Sequence, residues 1–151
     1  MTNPTFGLVE VEKHLPASRA RAFEAFADAT QREQWGAPSD TAAFIVERDE
    51  FRVGGCDLTR CGDAADPRIL VTTQYHRIEE PSLIVATEVI DNDGQRVAVT
   101  QKTVELVDDD DGCTCKVTVQ VCSLVGDEMV TNTEHGQNGS LDHLANWLQS
   151  K

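Results

Sequence analysis

Few side chains in this sequence could do acid, base, nucleophilic or metal chemistry, and their spacing brings almost none of them together. His76 stands between Tyr75 and Arg77 in a β-rich run, and an imidazole directed into a cavity could act as a general base. A lone strand histidine is expected instead to be exposed or bonded for structural reasons. Glu88, between Thr87 and Val89, would serve as an acid if burial raised its pKa; it is expected to face solvent. Cys113 and Cys115 share one face of a strand and could open a thiolate metal site with nitrogen from His135 or His143. A second ligand pair at ordinary spacing is missing, and buried cysteine behaves as a small hydrophobe, so no metal is assigned. Cys56 and Cys61 are separated by an odd number of steps, which puts them on opposite faces of an extended strand and argues against a local disulfide or a shared nucleophilic site. The acidic run 108–111 lacks the spaced ligands and closing glutamate of an EF-hand and reads as a solvated hairpin tip. No Ser-x-x-Lys, Gly-x-Ser-x-Gly or phosphate-loop pattern occurs. Gly54-Gly55 is no dinucleotide fingerprint and is expected to form a bulge or sharp bend. No catalytic residue and no cofactor is therefore assigned, and binding is favoured over catalysis.

The elements that would position these groups are legible from periodicity. Residues 7–14 read as a first strand, ended by Leu15-Pro16. Ser18 is a plausible N-cap for a helix whose Ala22, Phe23, Phe26 and Ala27 recur at helical spacing. Thr30 to Glu33 has the capping-box pattern and should start a short second helix through Trp35, stopped by Gly36-Ala37-Pro38. Strands are predicted over 41–48, 50–60, 68–78, 82–91, 95–107 and 112–124, separated by turn-favouring residues whose short spans imply an antiparallel meander. In the last strand Cys113, Cys115, Val117, Val119 and Val121 form the buried face.

From 131 to 151 the pattern turns helical. Leu141, Leu144, Ala145 and Leu148 recur on one helix face, whereas the same face earlier carries Glu134, Gln137 and Asn138. Such a helix can seal a core with one half and roof a cavity with the other. Gly136 and Gly139 are both expected to permit close backbone approach, since each costs about 1 kcal/mol against alanine in a helix interior. The order is strand, two short helices, six strands and a long helix, an α+β layout.

The chain has 151 residues and a formal net charge of −13, with a pI of about 4.5. That length suits one domain, 1–151. Its averaged field repels nucleic acid and anionic membranes, and no apolar run reaches the roughly 20 residues of a membrane span. The absence of a basic start followed by an apolar run, and an odd cysteine count of 5, give the expectation of a cytoplasmic protein with reduced thiols.

Several pieces, taken in order, resemble a known family. They are Leu15-Pro16-Ala17-Ser18 leading into Ala22-Phe23-Glu24-Ala25-Phe26, then Gln34-Trp35, then Phe51-Arg52-Val53-Gly54-Gly55. Arg77-Ile78-Glu79-Glu80-Pro81 with Leu83-Ile84-Val85-Ala86-Thr87, and finally His135-Gly136 with Ser140-Leu141-Asp142-His143-Leu144, complete the set. Together they resemble the SRPBCC superfamily (START and Bet v1-like), and within it the domain homologous to the activator of Hsp90 ATPase. The resemblance implies a helix-grip fold: a curved antiparallel β-sheet wrapped around a long C-terminal α-helix, with two short helices after the first strand. It also implies binding of a small hydrophobic or amphipathic molecule, a chaperone partner, or a cyclase or hydrolase acting in the same cavity. Members often carry adjacent tryptophans where this chain has Trp35-Gly36, and another where Gln137 follows Gly136, so the cavity here should be larger or wetter.

The lining residues expected on these grounds are Phe26, Trp35, Phe44, Phe51, Tyr75, Gln101, Asn138 and Leu141. For Phe26 and Leu141 a plain core role is favoured. Apolar burial would supply affinity and a few polar groups orientation. A homodimer through sheet edges or the helix face stays open.

Overall fold

The computed structural model describes residues 3–150. Its elements run β1 (Thr5–Leu15), α1 (Arg19–Ala27), α2 (Ala29–Trp35), β2 (Ala42–Arg48), β3 (Cys56–Asp63), β4 (Ile69–Glu79), β5 (Leu83–Asn92), β6 (Gln95–Asp109), β7 (Gly112–Ser123) and α3 (Glu128–Gln149). The strands form one curved seven-stranded sheet in the order β1-β7-β6-β5-β4-β3-β2. Every neighbouring pair is antiparallel. β2 through β7 follow one another as hairpins, and β1 returns beside β7, so the two helices after β1 bridge the opposite edges of the sheet. The long helix α3 packs against β1, β7 and α2. This is the helix-grip fold. The helical pattern expected to run through residue 151 ends at Gln149; Lys151 lies outside the described residues.

Alternation explains the core. Cys113, Cys115, Val117, Val119 and Val121 of β7 are all buried, and across the pair so are Val9, Val11 and Leu15 of β1. α1 begins at Ser18, whose hydroxyl accepts from the Arg21 amide at 3.2 Å, and turns Ala22, Phe23, Ala25 and Phe26 inward. Leu141, Leu144 and Leu148 of α3 close the same core.

Two local expectations are corrected. The second helix is capped by Asp28 and not by Thr30: Asp28 Oδ1 accepts from the Thr30 amide at 2.9 Å and the Gln31 amide at 3.4 Å. An aspartate two residues earlier offers the stronger charged acceptor to the free amides. Glu33 then reaches across to accept from the Val46 amide at 2.8 Å. The strand expected over 50–60 starts only at Cys56. Residues 52–55 make a turn in which Gly54 adopts φ +83°, with the Gly54 amide donating to Tyr75 O at 2.8 Å. The ladder irregularities lie elsewhere, between Val46 and Arg48, Tyr75 and Arg77, and Ile90 and Asp91.

Candidate functional site

Beneath the amino-terminal half of α3 the sheet and helix part to leave a cavity of about 460 Å³. Its floor is the inward face of β3 to β6; its walls include α2, the segment after it, and Met129, Thr133, Gly136, Gln137, Ser140 and Leu141 of α3. The aromatic wall is fixed by edge-to-face contacts, Phe26 with Trp35 and Phe51 with Tyr75, each pair with ring centroids 4.9 Å apart. Trp35 Nε1 donates to Ala25 O at 3.0 Å, which holds the indole in place. The helix α3 is pinned over this wall because Ser140 Oγ donates to Gly36 O at 2.7 Å and Gly139 lies against the Pro38 backbone.

At one side of the cavity a buried charged knot joins helix to sheet. Arg32 Nη1 donates to Asp57 Oδ2 at 2.7 Å and to the Tyr75 hydroxyl at 2.9 Å, while Arg32 Nη2 donates to Asp49 Oδ1 at 3.2 Å. Tyr75 donates its own hydroxyl to Asp57 Oδ2 at 2.5 Å, and Asp57 Oδ1 accepts from the Glu50 amide at 2.7 Å. Asp57 is 1% exposed and Arg32 9%. Burial pushes the Tyr75 phenol far above its ordinary range; the Arg32 charge opposes this and the hydrogen bond to Asp57 adds to it. Tyr75 therefore stays a neutral donor. Burial works against the Arg32 cation, but the hydrogen bond and charge of Asp57, with the charge of Asp49, hold the guanidinium charged. A buried ion pair needs such further hydrogen bonds to offset its desolvation.

Along the floor runs a second polar group. The register aligns Asp57, Thr73, Glu88 and Thr100 across four strands, with Lys102 two residues further along β6. All of them line the cavity. Glu88 Oε2 accepts from Thr73 Oγ1 at 3.3 Å, and the buried Thr100 hydroxyl has no partner among the described residues. Cys61, also on the wall, has its thiol pushed up to about 12, first by burial and then by Glu88. A thiol raised in this way is a poor thiolate nucleophile near neutrality.

Of the eight residues expected from sequence, Phe26, Trp35, Phe44, Phe51, Tyr75 and Leu141 lie on the cavity wall; Gln101 and Asn138 do not. Gln101 sits between the inward Thr100 and Lys102, so the pleat sends it to the outer face, where it is exposed opposite Thr87 and Gln120. Asn138 is exposed because the inward stripe of α3 runs through 133, 136, 137, 140 and 141, one position away. Glu88, expected to face solvent, faces the cavity. His76 is exposed at the irregularity between Tyr75 and Arg77 and bonds Thr87 Oγ1 at 2.8 Å. Of the two positions where tryptophans are often found, Gly36 has no free space, since a Cβ there would meet the Phe44 ring at 2.7 Å. Gln137 does line the cavity. Sequence reasoning missed Arg32, Asp57 and Lys102. Asp57 carried a usable signal, an aspartate alternating with Thr59 and Cys61 in a strand, where aspartate is depleted.

Away from the cavity, His14, Asp109 and Asp111 converge at the hairpin tip. Asp109 Oδ2 accepts from both His14 Nδ1 and Thr114 Oγ1, each at 2.8 Å. The cluster is exposed and its members satisfy one another. Among the described residues no helix is long and apolar enough to cross a membrane.

Fold and cavity together define a helix-grip domain of the SRPBCC superfamily. More narrowly, residues 16–149 match the family described as Activator of Hsp90 ATPase homolog 1-like protein, and the chain belongs to that family. An uncharacterized protein from Rhizobium leguminosarum superposes with a TM-score of 0.85 at 22% identity, covering 99% of this chain and 98% of that one. The Mll3558 protein of Rhizobium loti gives a TM-score of 0.85 at 28% identity, over 97% and 100% of the two chains. An AHSA1-like protein from Aeromonas hydrophila gives 0.73 at 18% identity, over 95% and 93%. No curated protein matches the chain in sequence.

Proposed function

We propose that this chain acts as a single domain in the cytoplasm and binds a small hydrophobic or amphipathic molecule in the cavity beneath α3. One observation carries the reading: a space of about 460 Å³ lies within the usual size of ligand pockets and is walled mainly by apolar side chains with a few convergent polar groups. The reading is one of binding: the cavity's phenol is already held in the Arg32 knot.

Native mass spectrometry of gently purified protein, followed by denaturing extraction, tests this. The expected result is a stoichiometric small-molecule adduct that disappears in Gly136→Trp, since Gly136 is on the wall and a Cβ there meets nothing within 4 Å. An adduct that survives Gly136→Trp, or a clean apo mass with no thermal shift across amphiphiles, counts against it. A protein-partner reading draws on the outer face of β1, where Phe6 is 75% and Leu8 59% exposed. Phe6→Ser with Leu8→Ser would abolish partner binding while leaving any adduct intact.

A further inference from the structure

Glu88 and Lys102 both face the cavity, yet neither has a charged partner. Their strands fix the arrangement: Glu88 is opposite Thr100, and Lys102 is opposite Ala86, so the two form a diagonal cross-strand pair with Cα atoms roughly 7–8 Å apart. No ion pair joins them among the described residues, and Lys102 has no hydrogen bond there. Glu88 accepts only the 3.3 Å bond from Thr73, and the Thr100 hydroxyl beside them is 97% buried and unpartnered. The other charges on the wall are already committed, since Arg32 is held by Asp57, Asp49 and Tyr75.

Charges that face an apolar space without partners are costly, and the cost is relieved by any group that supplies the missing complement. A plain anion would satisfy Lys102 while being repelled by Glu88 and by the overall charge of −13. A plain cation meets the opposite conflict. Resting on the ligand-binding reading above, we propose that the ligand is a zwitterionic amphiphile: an ammonium group seated on Glu88, an adjacent carboxylate seated on Lys102, and an apolar body against the remaining wall. An amphipathic α-amino acid is the simplest member of this class.

The test is calorimetric titration of the full chain with four probes of matched length, 2-aminodecanoate, decanoate, decylamine and decanol. The amino acid is expected to bind about tenfold more tightly than either singly charged probe, the worth of one charge-assisted hydrogen bond. Lys102→Met should reduce it to the level of decylamine, and Glu88→Gln to that of decanoate. Thermal melting checks that each variant folds; if Lys102→Met does not, Lys102→Gln, which keeps a polar but uncharged end, asks the same question, and Thr100→Val tests the neighbouring hydroxyl at matched volume. Equal affinity for all four probes, insensitive to these substitutions but lost in Gly136→Trp, overturns the head-group assignment and leaves cavity binding standing. Failure of all four to bind overturns the assignment, and an adduct-free native mass would overturn cavity binding with it.

Discussion

The two ends of α3 cover different kinds of interior. Its carboxy-terminal half lays Leu144 and Leu148 onto β1 and β7, where Val9, Leu15, Cys113, Cys115 and Val117 are sealed from solvent. Its amino-terminal half faces Thr73, Glu88, Thr100 and Lys102 across open space. The first region gains from close packing of apolar groups. The second gives that up, and with it stability, and leaves polar groups at the border of an open space. The Arg32 knot fastens α2, one wall of the open half, to β3 and β4.

The sharpest way to break this contrast is to cut the knot. Asp57→Ala leaves the Arg32 guanidinium buried without its main partner, and loss of one member of a buried ion pair costs about 3–5 kcal/mol. Urea denaturation should show that loss, and Arg32→Met combined with Asp57→Leu should recover most of it, because apolar replacement of both partners is often neutral. A single-variant cost below about 1 kcal/mol, the size expected of a surface pair, would mean that the knot does not fasten α2 to the sheet.

Next in size is a comparison of matched truncations. Leu144→Ala in the sealed half should cost about 2–5 kcal/mol, since the gap left behind adds to the lost transfer energy. Ile90→Ala on the cavity wall should cost clearly less, for its side chain already borders empty space. Equal losses would place the two halves in the same packing regime and undo the distinction.

Much of this was legible in the sequence. Strict alternation in β7 announced a buried face, and the uneven greasiness of α3 announced both a sealed and an open half. The six wall residues that sequence reasoning found are large side chains on strongly patterned elements. Asn138 was misplaced because a helix face read from spacing alone can be rotated by one residue, and Gln101 because a strand's apolar pattern fades where its inward face is polar. Thr100 and Lys102 blur the alternation that would have marked Gln101 as outward. Arg32 and Asp57 went unseen for a different reason: 25 residues separate them, and only the antiparallel meander brings them together.

The two helix glycines sharpen the comparison further. They were expected to behave alike, yet a Cβ at Gly139 would lie 2.3 Å from Pro38 O, whereas one at Gly136 meets nothing within 4 Å. Gly139→Ala should therefore destabilise by about 1–3 kcal/mol through overpacking. Gly136→Ala should stabilise by up to about 1 kcal/mol through helix propensity. Thermal melts of the two variants moving in the same direction would deny that α3 is docked on Pro38 at Gly139 and borders open space at Gly136.

The smallest expected effect is the acid response. Asp28 is held below the ordinary carboxylate value of 3.8, chiefly by the Gln31 side chain, with the Gln31 and Thr30 amides adding to it against partial desolvation. Glu50 is held below 4.5, first by Arg48 and then by the Cys56 amide. Asp109 is raised by desolvation, but hydrogen bonds from His14 and Thr114 bring it below 3.8 overall. A carboxyl depressed in the folded state stabilises it fully above the unfolded value, and that contribution is lost as pH falls through the folded one. Stability should thus be flat near neutrality and decline below about pH 4.5. Asp28 and Glu50 support α2 and the 49–55 segment, so Asp28→Asn should shrink the loss between about pH 5 and pH 3 at the cavity end. It should also lower the stability at neutral pH, because a charged cap is lost. If the variant keeps the full acid loss, the cavity end does not depend on that cap, and the acid limb belongs to Glu50 or to the hairpin around Asp109.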